Sequence, residues 1–270
     1  CMLACGNEPS GRWVPWVSKF VDYWKATDPR HVYTGASVGG SWQWQPHNQY
    51  HVKAGARGLS WAGSQPESMS DYRAKIDSVK QPYVSHETGQ WCAFPNFSEI
   101  RKYTGVNKAK NFEIFRDILN DNHMGSMGHD FMMASGKLQA ICYKHEIEKT
   151  LRTPDYAGFQ LLALNDYSGQ GTALVGLLDV FFEEKGYINA DEFRRFCSPT
   201  VPLARIPKFV YTNDEAFHAD IEVSHFGAAP LQEAKTVYSI KDEYGKVYAH
   251  GTVGTQNIPC LLYTSDAADE

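Results

Sequence analysis

Two glutamates stand where an apolar run of the sequence gives way to a turn. Glu8 follows the run MLACGN, and Glu87 lies in PYVSHETGQW, 79 positions further along the chain. Two carboxyl groups that face one pocket can hydrolyse a glycosidic bond, because one protonates the leaving oxygen while the other attacks the anomeric carbon. The retaining form of this reaction needs the two groups about 5–5.5 Å apart. One glutamate at a strand end would more often be a solvated residue, so it is the pair that favours this chemistry.

The segments around the two glutamates alternate between strand and helix patterns. The predicted strands are 2–6, 31–37, 58–62, 82–87 and 158–164, and the predicted helices are 14–29, 70–79, 108–122 and about 130–150. This alternation is typical of an α/β architecture with parallel strands. A (β/α)8 barrel uses about 31 residues per unit, so the 79 positions between Glu8 and Glu87 correspond to two or three units. Both glutamates are therefore predicted at the carboxyl-terminal face of a barrel, three strands apart.

The pattern changes near Pro202. Short alternating runs separated by turn residues fill 208–253 and predict an antiparallel β-sandwich. We place the domain boundary between 202 and 203, with the second domain ending at 259. The final segment, 260–270, resembles translated sequencing-adapter sequence and is expected to be an artefact. Because the chain begins with a cysteine inside a predicted strand, we expect it to be a piece of a longer protein.

The motifs GNE and HETGQW, three strands apart and followed by a sandwich pattern, resemble glycoside hydrolase family 2, the β-galactosidase, β-mannosidase and β-glucuronidase group. The resemblance implies that 1–202 is the C-terminal part of a (β/α)8 TIM barrel, strands four to eight, and that 203–259 starts the next domain. It implies a retaining exo-β-glycosidase that removes terminal sugars through a glycosyl-enzyme intermediate. Glu8 would be the general acid/base, Glu87 the nucleophile, and Asn7 a donor to the sugar 2-hydroxyl.

Four further residues are candidates for binding the sugar. Trp61, at the end of a predicted strand, and Trp91, just past the second glutamate, could stack on sugar faces, although core packing is almost as good an explanation. Asn165 and Asp166 follow the last predicted strand of the barrel, where the resemblance implies substrate contacts. We expect one of these two to contact the substrate.

The geometry of a strand constrains the predicted site. Consecutive side chains point to opposite faces, so Asn7 and Glu8 can share a pocket only if the backbone twists or bulges at 6–8. By the same alternation, Tyr83 shares the inward face of Glu87, and His86 should face the helices as a buried structural residue.

The amino-acid composition argues against several classes of binding partner. The net charge of −5 and the lack of a basic run argue against nucleic acid and anionic membranes, and no apolar stretch approaches the roughly 20 residues of a membrane span. Seven Trp and 15 Tyr suit a carbohydrate substrate. With no CxxC pair and no cluster of histidines at ligand spacing, we expect neither a metal nor another cofactor. Oligomeric state is left open, and a periplasmic or secreted location follows from the resemblance alone.

Three alternatives remain. The chain could belong to another retaining hydrolase of the same clan, such as an endo-glucanase or mannanase. It could be a non-catalytic carbohydrate-binding protein on a decayed barrel, or, as the weakest option, a metal-dependent hydrolase. The sugar and the linkage are not predicted, and we do not assume that the isolated chain is active, because half a barrel exposes a strand edge and an apolar face.

Overall fold

A computed structural model of the chain describes residues 2–167 and 173–264. Five strands form one sheet: β1 (Met2–Asn7), β2 (Val32–Val38), β3 (His51–Lys53), β4 (Tyr83–Thr88) and β5 (Tyr156–Leu161). They stand in the sheet in their order along the chain, and every neighbouring pair is parallel. Parallel strands end at the same edge of a sheet, so the residues at the ends of β1 and β4 share one edge.

The helices connect or cover these strands. They are α1 (Trp13–Thr27), α2 (Arg73–Ile76), α3 (Lys110–Asp121), α4 (Gly128–Leu151) and α5 (Ala190–Arg194). In α1, Val17 and Val21 are four residues apart, lie on one face and are both buried. Within the described ranges, no helix combines the length and the apolar character needed to cross a bilayer.

The longest helix, α4, supports the loop that follows β4. Tyr143 and Ile147 of α4 are completely buried in the largest core cluster. The Tyr143 hydroxyl donates to the carbonyl of Gly89 at 2.6 Å. A Cβ atom at position 89 would lie 2.0 Å from the Tyr143 ring, and the backbone there has φ +80°, so the close approach of loop and helix requires glycine.

The C-terminal part of the chain forms two small antiparallel sheets. Its strands are β6 (Thr200–Arg205), β7 (Asp220–His225), β8 (Leu231–Lys241), β9 (Val247–Ile258) and β10 (Leu261–Thr264). One sheet has the order β10-β7-β6, and the other pairs β8 with β9. The strand β6 therefore spans the boundary expected at 202/203. Within the segment expected to be an artefact, β10 pairs with β7, and 265–270 lies outside the described residues.

The predicted fold, half of a (β/α)8 barrel followed by a β-sandwich, is wrong. Over the described ranges the parallel strands form an open five-stranded sheet, and the remaining strands form a three-stranded and a two-stranded sheet. The predicted strand at 58–62 is not a strand, and β3 lies instead at His51–Lys53, where no strand was predicted. Alternating strands and helices are common to open sheets and barrels, so the local pattern cannot decide whether a sheet closes.

Candidate functional site

The structure brings Glu8 and Glu87 together at the carboxyl edge of the parallel sheet. Glu8 directly follows β1, and Glu87 is the penultimate residue of β4. One carboxylate oxygen of each glutamate and one ring nitrogen of His86 lie within 4.8 Å of one another. Such a close approach of one oxygen from each glutamate is compatible with the retaining arrangement, in which the carboxyl groups are about 5–5.5 Å apart.

Both glutamates have a backbone conformation that is rare outside glycine. Their φ angles are +43° for Glu8 and +54° for Glu87. Such strain costs on the order of 1–3 kcal/mol per residue and is concentrated at functional sites. The twist or bulge predicted at 6–8 corresponds to the positive φ of Glu8 and not to a bulge: the β1–β2 register is regular through Asn7, and Glu8 N–H donates to the Ser37 carbonyl at 2.9 Å. The irregular register lies instead between β4 and β5, from Ser85 to Thr88.

An arginine that the sequence interpretation missed holds the backbone at Glu87. Arg57 Nη1 donates to the carbonyls of His86 at 2.6 Å and Glu87 at 2.8 Å. The same nitrogen lies 3.7 Å from Glu87 Oε2, and Gln90 Nε2 donates to that oxygen at 3.4 Å. Oε2 is therefore held by one hydrogen bond from Gln90 and by an ion pair with Arg57. No local pattern pointed to Arg57. It lies in a loop, next to the segment 58–62 that was wrongly predicted to be a strand.

His86 faces the other carboxylate oxygen of Glu87. His86 is 4% exposed, in keeping with the expected burial. Its Nε2 lies 3.5 Å from Glu87 Oε1, and its Nδ1 lies 3.5 Å from Gln160 Oε1. The imidazole ring therefore reaches the Glu87 carboxylate. His86 is more than a residue that packs against the helices.

Glu8 is solvent-exposed and lies beside an aromatic loop. A Cβ atom built on Gly39 would be 3.9 Å from Glu8 Oε1 and 3.2 Å from Trp42 Nε1, so the indole and the carboxylate flank the same glycine. Trp42 also packs against Trp13, with ring centroids 5.7 Å apart. The buried Lys53 donates to the Trp42 carbonyl, and burial lowers the pKa of this lysine. Trp42 is thus a candidate aromatic contact that the sequence interpretation did not single out.

The predicted tryptophans have other partners. Trp91 Nε1 donates to Glu146 Oε2 at 2.6 Å, and its ring packs against the core cluster around α4. Trp61 packs against His145 and Phe209, with ring centroids 5.1 and 5.7 Å away. These contacts join both rings to other parts of the fold. The geometry therefore gives no reason to assign either ring to the site.

Glu146 is a buried carboxylate that ties loops near the site to α4. Its Oε1 accepts the backbone N–H of Gly58 at 2.7 Å, while its Oε2 accepts the Trp91 indole. Burial raises the pKa of Glu146. Because Gly58 adjoins Arg57, one carboxylate fixes the loop that carries the arginine and the loop that follows Glu87.

The other three predicted residues divide between exposed and buried positions. Asn7 is exposed at the end of β1, next to Glu8. Asn165 donates its side-chain amide to the carbonyl of Asp166 at 3.0 Å. The Asp166 carboxylate is 2% exposed, accepts Gly176 N–H at 2.9 Å and pairs with Lys185 at 2.6 Å. Both oxygens of Asp166 have protein partners, so a sugar hydroxyl would have to compete with Gly176 N–H or Lys185 for them. The expected contact of Asn165 or Asp166 with the substrate stays a prediction.

One cavity of about 530 Å³ lies at the opposite, amino-terminal edge of the sheet. Its lining includes Pro82 and Tyr83 at the start of β4 and Tyr156 at the start of β5, but neither Glu8 nor Glu87. The carboxylate pair lies at the other end of these strands and does not line this cavity.

A family model matches the C-terminal part of the chain. Residues 215–265 match a family described as a domain of unknown function (DUF8488). This match contains β7 to β10 and none of the residues around Glu8 and Glu87. No curated protein matches the chain.

Proposed function

We propose that the chain carries the acid/base and the nucleophile of a retaining exo-β-glycosidase, of the β-galactosidase-like kind implied by its resemblance to glycoside hydrolase family 2. The observation that supports this proposal is the approach of Glu8 and Glu87 to within 4.8 Å. Carboxylate oxygens this close are compatible with the retaining arrangement, in which one carboxylate attacks the anomeric carbon directly.

The two environments suit different roles. Glu87 is 24% exposed at its side chain and is oriented by Arg57 and Gln90, as an attacking oxygen must be. Glu8 is exposed, so it can give a proton to the leaving oxygen and then take one from the water that enters afterwards. Attack by Glu87 forms the glycosyl-enzyme bond as the bond to the leaving oxygen breaks, and water then releases the sugar with its original configuration.

The proposal is tested in the full-length protein with a panel of aryl β-glycosides and proton NMR of the first product. Retention of the β configuration is expected. Glu87→Ala should abolish turnover, and Glu8→Ala should slow substrates with poor leaving groups by about 10²–10⁴-fold. Glu243→Gln, which changes an exposed carboxylate in the turn between β8 and β9, is the matched control and should leave turnover unchanged.

Azide rescue distinguishes the acid/base role of Glu8 from the nucleophile role of Glu87. It should rescue Glu8→Ala by attacking the glycosyl-enzyme and giving a β-glycosyl azide, whereas rescue of Glu87→Ala should give the α-glycosyl azide. An inverted product from the parent protein, or full activity of Glu87→Ala, would contradict the proposal. Sugar binding without hydrolysis would favour the carbohydrate-binding alternative, and cleavage of internal polysaccharide bonds alone would favour an endo-acting enzyme.

A further inference from the structure

We propose that Glu8, His86 and Glu87 bind one transition-metal dication, for which Zn²⁺ is the best match, and that the bound ion blocks hydrolysis by engaging both carboxylates. The binding site follows from the geometry alone. The inhibition rests on the proposed function.

The distances suit a small tetrahedral ion. Zinc bonds to histidine nitrogen and carboxylate oxygen are about 2.0–2.2 Å long, which places neighbouring ligand atoms roughly 3.4 Å apart. His86 Nε2 and Glu87 Oε1 already lie 3.5 Å apart. The third ligand atom, on Glu8, is within 4.8 Å of both, and its exposed side chain can close the remaining distance, on the order of 1 Å.

The histidine nitrogen supplies an independent indication of a ligand. His86 Nε2 is buried and has no hydrogen-bond partner among the described residues. If Nδ1 donates to Gln160 Oε1, the lone pair of Nε2 is directed at Glu87 Oε1, so that two acceptors face each other. A cation between them relieves this repulsion. A histidine whose second nitrogen donates to a side-chain oxygen is also the usual arrangement of a metal ligand.

The charges favour one class of ion. Two carboxylates attract a dication, whereas the Arg57 guanidinium opposes it. Arg57 approaches Oε2 of Glu87, and the ion would take Oε1 on the other side. One imidazole and two carboxylates suit Zn²⁺, with water as the fourth ligand, whereas Mg²⁺ prefers an octahedral set of oxygens. The site should therefore select Zn²⁺ over Mg²⁺.

A bound ion is incompatible with two-carboxylate hydrolysis. The oxygen of Glu8 that coordinates zinc cannot carry the proton for the leaving group. Zinc on Oε1 also withdraws electron density from the whole Glu87 carboxylate, so Oε2 becomes a weaker nucleophile, and the ion occupies space between the two glutamates where the sugar must bind. Loss of activity should consequently follow occupancy of the metal site.

Binding is tested on the chain itself by titrating chelator-treated protein with Zn²⁺ in a calorimeter. One ion per chain is expected, with much weaker heat from Mg²⁺. His86→Gln and the exposed-site variant Glu8→Gln should each weaken affinity at least about tenfold, and Gln160→Leu, which removes the support of the ring, by about tenfold or more. His129→Gln, an exposed histidine beside Asp130 at the start of α4, is the matched control.

Co²⁺ as a spectroscopic probe identifies the ligands. Visible bands of a nitrogen- and oxygen-ligated ion are expected, and they should be lost in Glu8→Gln, whose exposed position makes misfolding an unlikely cause of the loss. Intense near-ultraviolet thiolate absorption, or equal Zn²⁺ affinity in the parent, His86→Gln and Glu8→Gln, would overturn the site.

The inhibition is tested separately by following hydrolysis of an aryl glycoside in chelator and then at rising Zn²⁺. Half-inhibition at the Zn²⁺ dissociation constant is expected. Zinc binding without hydrolysis in chelator would refute the glycosidase and leave the metal site standing. Hydrolysis that zinc does not reduce would refute the inhibition and leave the glycosidase standing, and hydrolysis that requires zinc would replace inhibition with metal-dependent catalysis.

Discussion

Glu99 should make the stability of this protein depend on pH in a predictable way. The residue lies in a 3₁₀ helix (Phe97–Lys102), is 1% exposed, and neither carboxylate oxygen has a hydrogen-bond partner among the described residues. Burial, and then the nearby charge of Asp179, raise the pKa of Glu99 to about 7. The native state therefore holds this proton more tightly than the unfolded chain does.

The size of the effect follows from the two pKa values. The pKa rises from 4.5 to about 7 on folding, and each unit corresponds to about 1.36 kcal/mol, giving about 3 kcal/mol. This stabilisation is complete below about pH 4.5 and is lost as the pH rises through 7, because ionisation then opposes folding. Glu99→Gln imitates the protonated form at every pH. It should match the parent near pH 4.5 and exceed it by about 3 kcal/mol at pH 8.

The assay is urea denaturation of both proteins from pH 4.5 to pH 8, with Glu243→Gln as the exposed control. Other titrating groups are common to the parent and the variant, so the difference in unfolding free energy isolates Glu99. A difference that does not change with pH would refute the reasoning, as would a variant that becomes less stable than the parent at pH 8.

Three further substitutions test contacts around the site. Arg57→Met removes the donor to two carbonyls and should cost about 1–3 kcal/mol of unfolding free energy and lower kcat/KM, because Glu87 loses its support. Glu146→Gln offers one oxygen and one amide to two N–H donors, so it should cost about 1–3 kcal/mol in urea denaturation and shift the fluorescence of Trp91. Gly89→Ala places a Cβ atom 2.0 Å from a buried ring and should lower the unfolding free energy by more than about 2 kcal/mol. An unchanged urea midpoint in any of these variants would contradict the contact concerned.

The sequence predicted those features that depend on local pattern. The predicted segments at 31–37 and 82–87 correspond closely to β2 and β4, and the pattern over 14–29 corresponds to α1. Glu8 and Glu87 were expected together at the carboxyl-terminal face of a barrel, and one oxygen of each does lie within 4.8 Å of the other. A shared edge alone would not bring them together, because β1 and β4 stand three strands apart in the sheet. Their catalytic roles remain predictions.

Features that depend on distant partners could not be predicted in the same way. Asp166 looked like a sugar contact because it follows a strand, but Lys185 and Gly176 occupy its oxygens. His86 was expected to face away from the site, yet the irregular register around Glu87 lets its ring reach the carboxylate. Arg57 acts through backbone carbonyls about 30 residues away, which no spacing rule reveals.

The central claim is that Glu87 attacks the anomeric carbon. It is tested most directly by treating the full-length protein with a 2-deoxy-2-fluoro-β-glycosyl fluoride, in which the fluorine at C2 slows breakdown of the glycosyl-enzyme, and then mapping the tryptic peptides by mass spectrometry. We expect the label on the peptide 81–101, with fragment ions that place it on Glu87. Label on Glu99 in the same peptide, or on Glu8 in the tryptic peptide that ends at Arg12, would contradict this assignment.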